Sequence, residues 1–149
     1  TTRFLLCLSD VIPAGLKSLN QRPPIITGQQ LQVIIMSDDL FLKIISREIP
    51  ADIVYENDDV LAFRDLNPQA PLHVLIIPKK HIRTINDMQE HDAELFGKVF
   101  LAAREIATEH GFTEEGYRVV MNCTEAAGQT VFHVHLHLLG GRGFSWPPG

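Results

Sequence analysis

The chain has 149 residues, a length that suits a single domain with one hydrophobic core. Hydrophobic residues make up 45% and charged residues 21%, which is an ordinary globular composition. The formal net charge of −5 argues against a surface that holds nucleic-acid polymers, because neutralising phosphates requires clustered Lys and Arg. No apolar run approaches the ~18 residues needed to span a bilayer, so a membrane partner is not expected either.

Residues 1–35 differ in charge from the rest of the chain. They hold three basic residues and one acid, whereas residues 36–149 hold ten basic and seventeen acidic residues. We interpret residues 1–35 as an N-terminal extension that is weakly ordered or not native, and residues 36–149 as the folded domain. A cytoplasmic location is expected, with organellar targeting by the extension left open. The two cysteines, Cys7 and Cys123, match no metal-ligand or redox spacing.

The predicted elements begin with a helix, because Ser37 can cap it and apolar residues recur at helical spacing until Ile49-Pro50. Three strands, a longer helix and two further strands follow. This order predicts an α+β fold with a largely antiparallel sheet. The predicted ranges are strands over 52–56, 59–65 and 73–77, a helix over 87–110, and strands over 117–122 and 131–139.

The last of these strands carries three histidines in alternating positions. Side chains on a strand alternate faces, so His133, His135 and His137 are expected on one face. The opposite face, which holds Phe132, Val134, Leu136 and Leu138, reads as core. Gly128 and the pair Gly140-Gly141 flank this strand, and their lack of a Cβ allows a ligand to approach the backbone.

This histidine series has three possible interpretations. A solvated polar face is disfavoured by the glycine-rich flanks. A metal site is also disfavoured, because the outer two rings are about 13 Å apart along a strand and ligands such as His73 or Asp65 would have to complete it. Phosphoryl chemistry is favoured, because a neutral imidazole at His135 can attack phosphorus while its neighbours address the oxygens and the leaving group. No metal or other cofactor is therefore predicted.

Four stretches of the sequence resemble one known family over essentially all of residues 36–149. The segment His-Val-His-Leu-His-Leu-Leu resembles the signature of the histidine-triad (HIT) superfamily. The longer segments are similar to its Hint branch, the purine nucleoside phosphoramidases. They are residues 63–71, residues 73–81, residues 128–142 with their Gly-Gly-Arg, and the Trp-Pro-Pro-Gly end at 146–149.

The resemblance implies a HIT-like fold, with a five-stranded sheet, two helices and a homodimer in which the sheet is continuous. It implies hydrolysis of the P–N bond in adenosine or guanosine phosphoramidates through a nucleotidyl-histidine intermediate. His135 would be the nucleophile, His137 and His133 would support phosphate binding and proton handling, and His73 would complete the set. The implied nucleotide-binding residues are Phe63, Asp65, Leu66, Asn122, Gly128, Gln129, Thr130 and Trp146.

Two positions depart from the Hint pattern, which usually has Ser at Thr130 and a glycine at Ala127. Two alternative functions stay open. One is a dinucleoside polyphosphate hydrolase of the same superfamily, although that branch lacks the Gly-Gly-Arg and Trp-Pro-Pro-Gly features. The other is a nucleotide-binding scaffold whose activity is incidental. The nucleotidyltransferase branch is disfavoured, because it typically has Gln where His137 stands.

Overall fold

The computed structural model describes residues 40–148, so the predicted extension over 1–35 and the predicted cap Ser37 lie outside the described residues. Within this range no helix is long and apolar enough to cross a membrane. The elements are α1 (Leu40–Ile45), β1 (Ile53–Glu56), β2 (Val60–Arg64), β3 (Leu72–Pro78), α2 (Ala93–Glu109), β4 (Tyr117–Val120) and β5 (Leu136–Gly140). Three short 3₁₀ turns lie at Ile85–Asp87, Glu90–Asp92 and Glu125–Ala127.

The five strands of the described range form one sheet in the order β1-β2-β3-β5-β4. Every neighbouring pair is antiparallel. The predicted α+β fold with two helices and a five-stranded antiparallel sheet is therefore confirmed. In this order β3 and β5 are central, so both are paired on each side.

The sheet buries side chains on both faces. One face packs on α2, and its core contains Val60, Ala62, Leu72, Val74, Ile76, Leu136 and Leu138 from the strands. The other face packs on α1, and its core joins Phe41 and Ile44 to Leu61, Phe63, Leu75, Ile77 and Val131. Alternation along each strand explains this division, because successive residues point to opposite faces.

Helix α2 begins at Ala93, later than the predicted start at residue 87. The intervening residues form two 3₁₀ turns, because acidic side chains bond backwards to the backbone. Asp87 accepts from the Thr84 N–H at 3.0 Å, and Asp92 accepts from the Gln89 N–H at 3.0 Å. Such capping bonds compete with helix continuation. Phe100, on α2, is 51% exposed.

Strands β4 and β5 are both shorter than predicted, and His133 and His135 precede β5 instead of lying within it. In the register that pairs Ile76 with Leu136, the next partner of Val134 would be Pro78. Pro78 has no N–H to donate, so the ladder cannot continue there. Val134 instead donates its N–H to the carbonyl of Ile82 at 2.7 Å.

Candidate active site

The three histidines of the series lie on the same side of the chain, as the alternation predicts, although two of them precede the strand. The ring of Phe41 on α1 packs edge-on against both His133 and His135, with centroids 5.9 and 5.2 Å apart. The rings of His135 and His137 are 5.0 Å apart. On the opposite side, Val134 packs in the core with Ile82 and Phe96.

The sheet register brings a fourth histidine to this group. In the β3–β5 ladder His73 pairs with Leu139 and Leu75 pairs with His137, so the two histidines are diagonal neighbours on one face. Their ring centroids are 5.2 Å apart. The structure therefore brings together all four histidines that the sequence analysis nominated.

One hydrogen bond fixes the tautomer of His135. Its Nδ1–H donates to the backbone carbonyl of His133 at 2.8 Å. A neutral imidazole carries one proton, so Nε2 keeps its lone pair. Burial lowers the pKa of His135, and the hydrogen bond to His133 and the charge of Asp65 only partly oppose this. His135 is therefore neutral near pH 7 and has a nucleophilic nitrogen.

His133 is fully buried in the single chain, and its expected support of phosphate binding stays a prediction. Its Nε2–H donates to the carbonyl of Pro78 at 2.7 Å, and its Nδ1 has no hydrogen-bond partner among residues 40–148. Burial lowers the pKa of His133 to about 4, although the Pro78 carbonyl opposes the shift. The His133 side chain thus anchors the segment before β5 to the end of β3, where the ladder is missing.

His73 and His137 form a hydrogen-bonded pair whose protons can be assigned. The backbone N–H of Gln69 donates to Nδ1 of His73 at 3.1 Å, so the His73 proton must be on Nε2. That Nε2–H donates to Nδ1 of His137, which lies at 2.9 Å. A neutral His137 therefore carries its own proton on Nε2. Burial is the main cause that lowers the pKa of His73, and it lowers that of His137 to about 4.

Asp65 stands beside this pair. Its Oδ1 accepts the N–H of Asn67 at 2.7 Å, and its Oδ2 lies 3.5 Å from Nε2 of His73. Its charge opposes the lowering of the pKa of His73, His135 and His137. One oxygen thus caps the loop, and the other faces the histidines.

Asp65, His73 and His137 place three possible ligand atoms within 4.8 Å of one another, which is close enough for a metal ion. The hydrogen bonding around His73 does not suit one. A metal on Nε2 would force the proton of His73 onto Nδ1, where it would face the N–H of Gln69. Metal-bound histidines normally direct their second N–H at an acceptor. This donor set therefore fits a proton-sharing pair better than a metal site.

The side chain of Gln129 is buried and bonds to the backbone around it. It is 1% exposed, and its Oε1 accepts the N–H of Thr124 at 2.8 Å. Its Nε2 donates to the carbonyls of Arg83 at 2.7 Å and Val131 at 3.1 Å. The side chain is thus bonded to backbone at both ends, and the expected place of Gln129 on the phosphate side stays a prediction.

The other nucleotide-binding candidates differ in exposure. Phe63 is buried against Phe41, with ring centroids 5.6 Å apart. Asn122 is half-buried, and a Cβ on Gly128 would lie 3.7 Å from its Nδ2. The exposed candidates are Gly128, Thr130, Leu66 and Trp146, the last two being 101% and 85% exposed.

Two contacts of the site were not found from the sequence. The ring of Phe41 covers His133 and His135. The apolar spacing of the first predicted helix is the signal that could have suggested this contact. The second contact is at His81, whose ring centroid is 5.1 Å from that of His133. Its Nε2–H donates to the carbonyl of Phe132 at 3.0 Å.

Comparison with known proteins gives the class of this chain. Residues 46–144 match the HIT domain family. An uncharacterised HIT-like protein of Synechococcus elongatus is 55% identical over 115 residues, which cover 76% of this chain and 100% of that protein. The purine nucleoside phosphoramidase of Escherichia coli is 50% identical over 105 residues, which cover 70% of this chain and 88% of the enzyme.

A solved structure agrees with these relatives. The crystal structure of a HIT family hydrolase from Legionella pneumophila superposes with a TM-score of 0.73 at 55% identity. The match covers 74% of this chain and 98% of that one. The chain belongs to the HIT family, and the resemblance seen in its sequence is confirmed.

The buried histidines predict a pH-dependent stability. A pKa of about 4 in the folded state lies below the ordinary value of 6.5, so the unfolded chain binds the proton more tightly. The contribution of His133 is therefore present above pH 6.5 and is lost as the pH falls towards 4. When the pH is lowered from 7 to 5, the free energy of unfolding should fall in both proteins. We expect the fall to be about 2 kcal/mol smaller in His133→Gln than in the unmodified chain.

Urea unfolding of both proteins at the two pH values measures this difference. His91→Gln is the matched control, because the His91 side chain is 74% exposed, and it should keep the pH dependence of the unmodified chain. Equal losses in His133→Gln and the unmodified chain would contradict a neutral, buried His133.

Proposed function

We propose that this protein is a hydrolase that cleaves the P–N bond of purine nucleoside phosphoramidates through a covalent nucleotidyl intermediate on His135. The observation that carries the proposal is the hydrogen bond from His135 Nδ1–H to the His133 carbonyl, because it leaves Nε2 with a lone pair. The 50% identity to the purine nucleoside phosphoramidase of Escherichia coli supports the choice of substrate class.

In the first step the Nε2 lone pair of His135 attacks phosphorus, and the P–N bond breaks. The leaving nitrogen must gain one proton to depart as a neutral amine. His137 supplies it from Nε2, since its ring is 5.0 Å from that of His135 and its Nδ1 is occupied by the His73 bond. The step leaves a negative charge on the His137 ring and a positive charge on the phosphorylated His135 ring, so the two charges compensate, and the Nε2–H of His73 stabilises the His137 ring.

In the second step water cleaves the P–Nε2 bond. The oxygen of the water joins phosphorus, and one of its protons returns to Nε2 of His137. The products are a nucleoside monophosphate and the original neutral His135. The four histidines thus end each cycle with the protons they began with.

The remaining candidates are assigned to nucleotide binding. Asp65 holds the ribose hydroxyls through its carboxylate, which faces the histidines. Leu66 and Trp146 are exposed in the single chain and available to a ligand. Phe63 is buried and packs against Phe41, which contacts the histidines. Gly128 and Thr130 present the exposed loop on the leaving-group side, with Asn122 behind them.

We further propose that two copies pair through β4, which forms one edge of the sheet. The other edge, β1, has an irregular register between Ile53 and Tyr55, and such irregularities hinder strand pairing. β4 keeps a regular register and exposes 37% of Tyr117. Helix α2 also exposes about half of Phe100 and Leu101, a surface suited to a second copy.

Light scattering coupled to size-exclusion chromatography tests the pairing. The chain has a mass of 16.7 kDa, and we expect particles of twice this mass. Phe100→Glu should shift the equilibrium towards the monomer, because it places a charge in an apolar contact. Leu66→Glu adds the same charge to an exposed apolar position elsewhere and should remain dimeric. A monomeric unmodified chain at micromolar concentration would contradict the proposal.

The proposed activity is tested with a panel of adenosine and guanosine phosphoramidates and diadenosine polyphosphates. We expect turnover of the phosphoramidates to exceed that of the polyphosphates, and His135→Ala to lower kcat at least about 10³-fold because the nucleophile is lost. The variant should still bind AMP, since the other candidate nucleotide-binding residues are unchanged. His91→Ala, at a highly exposed position, is the matched control.

Chelation by EDTA should leave the rates unchanged, because no step uses a metal. Loss of turnover in EDTA with recovery in zinc would contradict the mechanism. Preference for diadenosine polyphosphates would contradict the substrate class and favour the other hydrolase branch. Full turnover in His135→Ala would contradict the assignment of the nucleophile.

A further inference from the structure

The loop between β2 and β3 directs the backbone N–H of Gln69 at the ring of His73. Within it, Oδ1 of Asp65 accepts from Asn67 N–H at 2.7 Å, and the Gln69 side-chain amide donates to the carbonyl of Asn67 at 2.9 Å. The Asp65 bond shapes the loop, and the backbone N–H of Gln69 donates to Nδ1 of His73 at 3.1 Å. A main-chain donor, which cannot change its proton state, therefore faces a ring that can.

The C-terminal segment holds this loop from the other side. Nε–H of Arg142 donates to the carbonyl of Gln69 at 2.9 Å. The guanidinium is itself fixed, because it lies over the ring of Phe144 at 4.3 Å and donates to the carbonyl of Gly143 at 3.0 Å. Arg118 of β4 lies over the same ring at 4.9 Å. These contacts join the C-terminal segment to the edge strand β4 and to the loop between β2 and β3.

Gly141 makes this contact possible. It has a φ of +84°, and a Cβ there would lie 3.0 Å from Cβ of Pro71. A Cβ on Gly140 would lie 2.9 Å from the ring of Phe112. The Gly-Gly pair thus lets the chain turn closely against Pro71 and Phe112. The turn delivers Arg142 to the loop.

We propose that the backbone N–H of Gln69 is the positioning element that fixes the direction of the His73–His137 hydrogen bond, and that Arg142 holds it in place. The inference rests on the proposed function for its effect on catalysis, since it assigns the cause of the proton on His137 Nε2. Gln69 and Arg142 are positioning residues, because they act through His73.

The N–H of Gln69 determines which nitrogen of His137 carries the proton. With the Gln69 N–H in place, His73 carries its proton on Nε2 and His137 carries its proton on Nε2. Without that N–H, His73 can hold the proton on Nδ1, and its Nε2 becomes an acceptor. His137 must then donate from Nδ1, and its Nε2 has no proton for the leaving nitrogen. The number of protons is unchanged, but the donor is lost.

The test is the tautomer of His73 in the full chain labelled with ¹⁵N-histidine, read from two- and three-bond ¹H–¹⁵N correlations by NMR. In the unmodified protein we expect the proton of His73 on Nε2. Gln69→Pro removes the N–H and should move the proton wholly or partly to Nδ1. Gln69→Ala keeps the N–H and is the matched control, in which the tautomer should not change. A proton on Nδ1 of His73 in the unmodified protein would overturn the inference.

Arg142 gives a second, independent series that is used whether or not Gln69→Pro folds by circular dichroism. Arg142→Gln should give a mixture of His73 tautomers, and Arg142→Lys should restore the Nε2 form, because an ammonium group can still donate to the Gln69 carbonyl. An unchanged tautomer in Arg142→Gln would overturn the role of Arg142.

Kinetics separate this inference from the proposed function. With a phosphoramidate substrate, Gln69→Pro should lower kcat about 10²-fold with little change in KM, as expected for loss of a proton donor. An unmodified chain that hydrolyses no phosphoramidate but shows the expected tautomers would refute the function alone. Normal hydrolysis with the other tautomer would refute the positioning role alone.

Discussion

The site depends on one hydrogen bond, from Nδ1–H of His135 to the backbone carbonyl of His133. A carbonyl can only accept, so it decides which nitrogen of His135 carries the proton and leaves Nε2 as a nucleophile. The carbonyl is available because β5 starts only at Leu136. Pro78 ends the ladder before this segment, and the side chain of His133 replaces the missing pairing. A break in the sheet thus fixes the tautomer of His135.

Burial of the histidines has the same effect throughout the site. It lowers the pKa of His73, His133, His135 and His137, so each ring is neutral near pH 7 and carries one proton. Backbone groups then assign those protons: the carbonyl of Pro78 for His133, the carbonyl of His133 for His135, and the N–H of Gln69 for His73. The main chain therefore sets the direction of each hydrogen bond, because it cannot itself titrate.

Periodicity predicted most of the fold and the face on which the histidines lie. It was wrong about where β5 starts, because alternating side chains look the same whether or not the backbone is paired. It also could not place Gln69 or Arg142, since their mutual contact joins residues 73 positions apart and, like the Gln69 contact with His73, involves backbone atoms. Gln129 matched a family motif, but its burial depends on three backbone partners that no spacing reveals.

The most direct test of the account is the position of phosphorus in the covalent intermediate. The ¹⁵N-histidine-labelled protein would be mixed with a slowly hydrolysed adenosine phosphoramidate and quenched, and the phosphorus–nitrogen coupling of the isolated active-site peptide would be measured. The account predicts one adenylyl group per chain, bonded to Nε2 of His135. A bond to Nδ1 of His135, or an adduct on another histidine, would contradict it.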